Sequence, residues 1–442
     1  MEVLFENILI YGIVGALFIF ILYKYLSKQN KDSKIVEEKI EKAKKMGTHE
    51  PVSLHPVVDI NSCIKSGACI TACPEKDVLG IRNGKATTIN ASRCIGHSAC
   101  FIACPVGAIS LHIGTEKRGV QLPHVSPNFE TNIPGIFIAG EIGGMGLIKN
   151  AVEQGKQAVD NLTKTIKSND KAGYDLIIIG SGPAGISASL QAKKNGLKSL
   201  TLEQDSLGGT VFSFPRSKIV MTSPMDLPLY GKLKLVETTK TELLDIWKKV
   251  LELNKISISE NEKVNEIQKI DNTFRVISNE KVYSSLKVLL AIGRRGAPRK
   301  LGVSGEGNEK VAYRLLEPEL IHNKNVLVVG GGDSAIEAAL LLSEESNNVF
   351  LSYRSSSFSR IKPKNLEKIN EKIEQNLINI YYNSTVSNIE NDTVELKINE
   401  TETIIIENDL VYIFAGGELP TQFLKKVGIK ITMKHGEAML KH

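Results

Sequence analysis

Residues 174–190 read Tyr174-Asp175-Leu176-Ile177-Ile178-Ile179-Gly180-Ser181-Gly182-Pro183-Ala184-Gly185-Ile186-Ser187-Ala188-Ser189-Leu190. The apolar run Leu176–Ile179 has the length of a buried strand, and the glycines that follow end it at once. Gly180, Gly182 and Gly185 are spaced for a tight turn and a close backbone approach to a pyrophosphate, with Pro183 and Ala184 between them. The helix expected from Ile186 would turn the positive end of its dipole toward that charge. A second strand-like run, Ser199–Leu202, ends in Glu203, an acid about 20 residues on that can accept a ribose hydroxyl. Strand, loop, helix and acid in this order define a dinucleotide-binding unit.

Working outward, the same pattern returns about 150 residues later. The run Asn325–Val329 leads into Gly330-Gly331-Gly332-Asp333-Ser334-Ala335 and a helix expected over Ala335–Leu342. Gly330, Gly332, Asp333, Ser334 and Ala335 are the candidate nucleotide contacts. The next strand, Asn348–Ser352, is followed by Tyr353-Arg354 and later Arg360 instead of an acid. Cations there pair with a 2′-phosphate, which favours NADPH over NADH; otherwise the two arginines form a solvated edge. Two such units imply an α/β protein with two parallel-sheet nucleotide domains.

The chain of 442 residues has room for roughly two to four domains. Its 24% charged and 42% hydrophobic residues are ordinary for a globular protein, and no short repeat is visible. The net charge of +6 is concentrated: eight lysines lie between Lys24 and Lys45 against Asp32, Glu37, Glu38 and Glu41. This excess directly follows the uncharged run Ile8–Tyr23, which with Val3-Leu4-Phe5 reaches the roughly 20 residues a spanning helix needs. The Met1-Glu2 start and lysine flank differ from a cleaved secretory signal, leaving a retained single-span anchor as the expectation, against a buried or cleaved helix. Lysines after the span place the remainder in the cytoplasm, at the cell membrane. The basic excess is thereby explained by a membrane surface, and no nucleic-acid partner is expected.

From Asn128 onward the pieces combine into a pattern. Leu207-Gly208-Gly209-Thr210 follows the first acid, Leu290-Ala291-Ile292-Gly293-Arg294-Arg295 precedes the second domain, and Ile413-Phe414-Ala415-Gly416-Gly417 follows it. With both glycine loops, residues 116–442 resemble the thioredoxin-reductase-like flavoproteins. The resemblance implies an outer FAD domain, contacted by Gly180, Gly182, Pro183, Ala184, Gly185, Glu203, Gly208, Gly209 and Thr210, and an inserted NAD(P) domain. It departs from that family twice. The stretch Ala312–Pro318 stands where a redox dithiol is expected, and no cysteine follows Cys104, so transfer through a protein dithiol is excluded. Reductases of small-thiol disulfides in the wider group carry a cysteine within the first glycine loop, where this chain has Ala184. Second, the family's closing FAD segment stands early, as Thr131-Asn132-Ile133-Pro134-Gly135-Ile136-Phe137-Ile138-Ala139-Gly140-Glu141, followed by a helix near Ala151–Ala158. The sequence ends at Lys441-His442, where that segment would begin. A circularly permuted FAD domain is expected, with Gly140 and Glu141 near the flavin.

All six cysteines fall in two matching runs, Cys63-x5-Cys69-x3-Cys73-Pro74 and Cys94-x5-Cys100-x3-Cys104-Pro105. Each resembles the bacterial two-cluster ferredoxin pattern except at its second ligand, which is Ser66 in one run and His97 in the other. In ferredoxins the fourth cysteine serves the other cluster. The resemblance therefore implies Cys63, Cys69 and Cys104 with Ser66 or an open site, and Cys94, Cys100 and Cys73 with His97. One or two clusters, 4Fe-4S or 3Fe-4S, are expected; zinc and a disulfide or relic module are the competing readings.

The expected architecture is a two-dinucleotide-domain flavoprotein with a small α+β ferredoxin-like module and one N-terminal transmembrane helix. Its parts are an anchor over 1–25, a basic stalk over 26–51, the iron-sulfur domain over 52–115, the permuted FAD segment over 116–165, the FAD domain over 172–299, the NAD(P) domain over 300–415 and a return segment over 416–442. Trp247, in a helical run over 242–253, and Tyr381-Tyr382 read as core. Phe214–Val220 borders either the flavin, a partner or nothing but the fold. No side-chain catalyst is required, because a flavin carries the chemistry of hydride transfer. The expected function is electron transfer from NADPH through FAD to or from the iron-sulfur module and an unidentified acceptor. Direct reduction of a small disulfide or quinone, and a redox sensor without turnover, are the alternatives. Dimers are common in the resembled family.

Overall fold

The computed structural model describes residues 2–45, 47–51, 54–75, 77–94, 96, 98–116, 119–144, 146–167, 172–214, 219–221, 224–235, 237–279, 281–294, 298–358 and 361–440. The chain forms two compact units, one of Met1–Val120 with Lys434–His442 and one of Gln121–Met433.

The first unit begins with α1 (Glu2–Lys45), a single helix of 44 residues, about 66 Å at 1.5 Å per residue. The expected anchor and stalk thus fall on one continuous helix, since no glycine or proline interrupts the lysine-rich half. In the apolar half Leu9, Tyr11, Phe18 and Ile21 are more than half exposed, whereas Ile40 and Ala43 near the other end are buried. The buried end rests on a small module made of β1 (Leu54–Val58), α2 (Ala68–Thr71), the hairpin β2 (Leu79–Arg82) and β3 (Lys85–Thr88), α3 (Ala99–Ile102) and β4 (Ile109–Ile113). Asn83 and Gly84 turn the hairpin with φ of 50° and 76°, the paired left-handed geometry this dipeptide favours. Gly80 makes room for α1: a Cβ there would lie 2.9 Å from Val36 Cγ2 and 2.8 Å from Ile89 Cδ1. Lys39 pairs with Asp77 at 2.6 Å, Arg82 pairs with Glu37, and Ser33 donates to Asn83 at 3.0 Å. Exposed pairs of this kind add little energy individually and chiefly fix the register of the docked helix.

β1 runs antiparallel to β4, from Leu54 opposite Ile113 to Val58 opposite Ile109. The far edge of β4 is taken by the strand Glu437–Leu440, also antiparallel. The segment 416–442 therefore divides. Its helix Thr421–Val427 and the turn after it place Leu424 and Ile429 in the core of the outer nucleotide sheet, while 437–440 leave that domain. An unpaired edge on β4 attracts any strand that can reach it, and no local periodicity marks such a destination.

In the second unit the outer sheet runs in the order Ile258–Ser259, Ser199–Leu202, Tyr174–Ile179, Val282–Leu290, Thr273–Ser278, Val264–Ile270. The first four are parallel and the last two are added antiparallel. The strand Ile136–Ile138 also pairs parallel with Val288–Leu290. It feeds α4 (Ile148–Thr163), which lies against α5 (Pro183–Lys194), the helix after the first glycine loop. A Cβ on Gly155 would stand 2.2 Å from Ala184 O, and Ser187 Oγ donates to Val152 O at 2.6 Å. The segment that precedes the loop in sequence is thus built into the domain around it. The inserted sheet is wholly parallel, in the order Val311–Ala312, Leu410–Ile413, Asn325–Val329, Asn348–Tyr353, Ile378–Tyr382. Trp247 is fully buried in the outer domain's core.

Candidate functional site

Both glycine loops have the shape their sequences anticipate. Gly180 takes φ 103°, where a Cβ would meet Ala291 O at 2.6 Å, and a Cβ on Gly185 would stand 1.8 Å from Gly180 O. Gly182 caps α5 without a side-chain acceptor, and a Cβ on it would meet nothing within 4 Å. An uncapped first turn facing open space leaves its N–H groups free to bind a phosphate. Gly209 lies over this turn, 3.3 Å from Gly182 Cα to its own added Cβ, and Gly208 N donates to Ser181 O at 3.1 Å. Thr210 follows in the same turn and is exposed.

Glu203 is buried and bound to the loop. Its Oε2 accepts from Ser181 N at 2.7 Å and Ser181 Oγ at 3.0 Å, and Oε1 accepts from Asp205 N at 3.1 Å. A carboxylate has about four acceptor sites, so one remains for a ribose hydroxyl. Gly140, at φ 89°, approaches Ala184 within 3.1 Å of an added Cβ, and its N–H donates to Gln154 Oε1 at 2.8 Å. Glu141 begins the short helical turn that follows. Burial lowers the pKa of Arg294, an effect opposed by the charge of Glu141. Ser181, Gln154 and Arg294 carry no local sequence signal, because their contacts are non-local. The open cradle, uncapped helix and buried acid fit a dinucleotide such as FAD.

The second loop repeats the design. Gly330 has φ 139°, where a Cβ would meet Phe414 O at 2.7 Å, and Gly332 caps the helix Asp333–Ser343 facing open space. Ala335 is fully buried and Ser334 exposed. Gly331 lies under Tyr353, whose ring would come within 2.2 Å of an added Cβ and stacks on Phe358 at 5.4 Å. Asp333 has a further contact. Its Oδ1 accepts from Lys362 N at 2.9 Å and Asn365 Nδ2 at 2.7 Å, which makes it a brace for the helix Pro363–Glu374. Arg354 is exposed at the strand's end; Arg360 lies outside the described residues, as do Arg295 and residues 215–218. Where the resembled family carries a dithiol, Arg314 forms an ion pair with Asp205, two residues beyond Glu203.

The cysteines gather in two crossed sets. Cys63, Cys69 and Cys104 line one cavity together with Ser66. Cys100 feels the charges of Cys94 and Cys73 and, more weakly, of Cys69. The loops leading into α2 and α3 repeat each other, with Lys65 and Gly67 at φ 62° and 71° and Gly96 and Ser98 at 73° and 66°. These turns aim backbone groups at sulfur: Ala86 N donates to Cys63 Sγ at 3.4 Å, Gly96 N to Cys94 Sγ at 3.4 Å and Ala108 N to Cys104 Sγ at 3.2 Å. Burial, with neighbouring sulfurs adding to it, pushes Cys94 up to about 11 and Cys100 up to about 12. His97 lies outside the described residues. Cys63, Cys69 and Cys104 converging on one cavity, with backbone donors to two of the sulfurs, fit an iron-sulfur cluster.

Two glycine-loop domains, one inserted in the other, define a flavoprotein reductase of the two-nucleotide class, here carrying a ferredoxin-like module. Residues 177–441 match the model of the family described as pyridine nucleotide-disulphide oxidoreductase, and residues 55–105 match that of the 4Fe-4S dicluster domain. The chain belongs to the pyridine nucleotide-disulphide oxidoreductase family, whose members use FAD and NAD(P). It is 28% identical over 265 residues to a bacilliredoxin reductase of Bacillus subtilis, covering 59% of this chain and 82% of that protein. It is 30% identical over 269 residues to a ferredoxin–NADP reductase of Pediococcus pentosaceus, covering 59% and 79%. A bacillithiol disulfide reductase structure from Staphylococcus aureus superposes with a TM-score of 0.51 at 28% identity, covering 58% of this chain and 81% of that one.

Proposed function

We propose that this protein is a membrane-anchored, NADPH-dependent reductase whose electron outlet is its own iron-sulfur module. One observation carries the reading. All six cysteines converge in two sets within the module, while the place of a dithiol beside the flavin is taken by Arg314 and its ion pair with Asp205. FAD, when bound, accepts a hydride and releases electrons singly, the step that joins a nicotinamide to an iron-sulfur relay. The chain's own residues hold the carriers. The Gly180–Gly185 loop and the first turn of α5 seat the FAD pyrophosphate, Glu203 takes its ribose, and the Gly330–Ala335 loop seats NADPH. Cys63, Cys69 and Cys104 hold one cluster with Ser66 at its open side, and Cys73, Cys94 and Cys100 hold the other with His97 at the vacant slot. α1 is the one helix among the described residues long and apolar enough to cross a membrane, and its lysines favour the cytoplasmic side for the reductase.

The test is an anaerobic titration. NADPH should bleach the flavin and then bring up the electron paramagnetic resonance signal of reduced clusters. A flavin that stays oxidised, or clusters that stay silent while the flavin is reduced, would refute the proposal. Arg354 supplies the cofactor preference: Arg354→Ala should raise the KM for NADPH by roughly 10- to 100-fold, the loss of a charge-assisted contact worth about 1.5–3 kcal/mol. The KM for NADH should not move. Equal changes for both cofactors would show that Arg354 does not read the 2′-phosphate. The second reading, direct reduction of a small disulfide at the flavin, draws on the similarity to bacilliredoxin reductase.

A further inference from the structure

The two cysteine loops repeat one pair of left-handed turns but differ in burial there: Lys65 and Gly67 are half-buried, Gly96 and Ser98 buried. In the second, Cys94, Gly96, Ser98 and Cys100 are buried, and Gly96 lies so close to Leu54 that an added Cβ would stand 3.1 Å from its Cβ. In the first, Ile64 and Ser66 are exposed, Ile64 to 62%, and Val106 beside Cys104 is exposed as well. Ile64, Lys65 and Val106 rim the very cavity lined by Cys63, Cys69 and Cys104. Ile60, just upstream, is exposed to 62%. The cavity of Cys63, Cys69 and Cys104 is therefore bordered by an exposed apolar rim.

The position of that rim follows from α1. Lys65 Nζ sits 5.6 Å from the centre of the Tyr25 ring, and Tyr25 follows the uncharged run by two residues. Lys65 holds a left-handed backbone, φ 62°, at the place where the second loop has Gly96, a conformation that strains a side chain. The helix continues unbroken from Tyr25 to Val36, where it docks against Gly80, a rise of about 16 Å. No flexible linker lets the module drift from the end of the span. A rim of isoleucine and valine flanked by a lysine is the composition that enters a headgroup layer, and the lysines of α1 add attraction to anionic lipid.

We propose that the rim formed by Ile60, Ile64, Lys65 and Val106 rests in the cytoplasmic headgroup layer of the bilayer spanned by α1. The cluster site of Cys63, Cys69 and Cys104 then faces lipid and serves an acceptor approached from the membrane. The inference rests on the anchored reading above. The test uses the full chain in vesicles of phosphatidylcholine and phosphatidylglycerol, with or without lipid brominated near the headgroup. Ile64→Trp should gain emission that is lost with brominated lipid, while the wild type, whose sole Trp247 is fully buried, should keep its emission. Ile60→Trp gives the same readout if the first variant fails to fold. Emission from both that is indifferent to bromine, with NADPH-driven ferricyanide reduction intact, would overturn the lipid contact and leave the reductase reading standing. Loss of ferricyanide reduction by the wild type would instead overturn the reductase reading, whatever the quenching shows.

Discussion

Gly185→Ala should leave the protein without FAD and much less stable. The added methyl would lie 1.8 Å from Gly180 O and 2.9 Å from its carbonyl carbon, both backbone atoms. Gly180 cannot retreat, because an added Cβ there is already 2.6 Å from Ala291 O, so strand and helix must separate. Overpacking a core with side chains that can shift costs about 1–3 kcal/mol; a backbone collision should exceed this, against a total stability of about 5–15 kcal/mol. Gly182→Ala is the matched control. Its methyl meets nothing within 4 Å and its φ of −69° suits alanine, so that variant should melt like the wild type yet hold FAD less tightly, by roughly tenfold for each 1.4 kcal/mol lost. Flavin content after gel filtration and thermal melting check both. A Gly185→Ala protein with full flavin would show that the loop is not built this way.

Cys100→Ala should separate the two halves of the reaction. Cys100 is buried in the set with Cys73 and Cys94, so its loss leaves that cluster two sulfurs. Even changes beyond the direct ligands of a metal cost roughly 10- to 100-fold in affinity or activity, and loss of a ligand should cost at least as much. Iron content should fall, and reduction of a one-electron protein acceptor should fall with it. Bleaching of the flavin by NADPH should persist, since none of its residues is touched. Acceptor reduction that survives the substitution would favour direct chemistry at the flavin. The raised thiol pKa values, about 11 for Cys94 and about 12 for Cys100, mean that these groups are protonated before metal arrives. Cluster assembly must therefore release protons, and lowering the pH should slow it.

Much of this site was legible in sequence because its determinants are local. A glycine at each tight approach, an acid at the end of the next strand and matched cysteine spacings all act within a few dozen residues. The early placement of Thr131–Glu141 was readable because its own motif is intact, and Ile136–Ile138 indeed joins the outer sheet. Long-range pairings were not legible. The pattern of α1 shows an apolar half and a basic half but not that Val36 settles onto Gly80. Asp333 lies in a nucleotide loop by position, yet the helix 30 residues downstream claims its carboxylate. Arg314 and Asp205 are each ordinary surface charges until the inserted domain brings them together.

The strand Glu437–Leu440 beside β4 also sets a schedule. His112 Nδ1 and Gly436 O, 2.7 Å apart at the start of that pairing, are separated by 324 residues of chain. At about 5–20 residues per second, a ribosome needs roughly 15 to 65 seconds to make the intervening chain. Through that interval all six cysteines are outside or emerging while the edge of β4 still waits for its partner. Iron delivered during synthesis would meet an unfinished module with an open strand edge, the form most exposed to mispairing with a neighbouring nascent chain. The strand that completes this module is made long after the strands it joins.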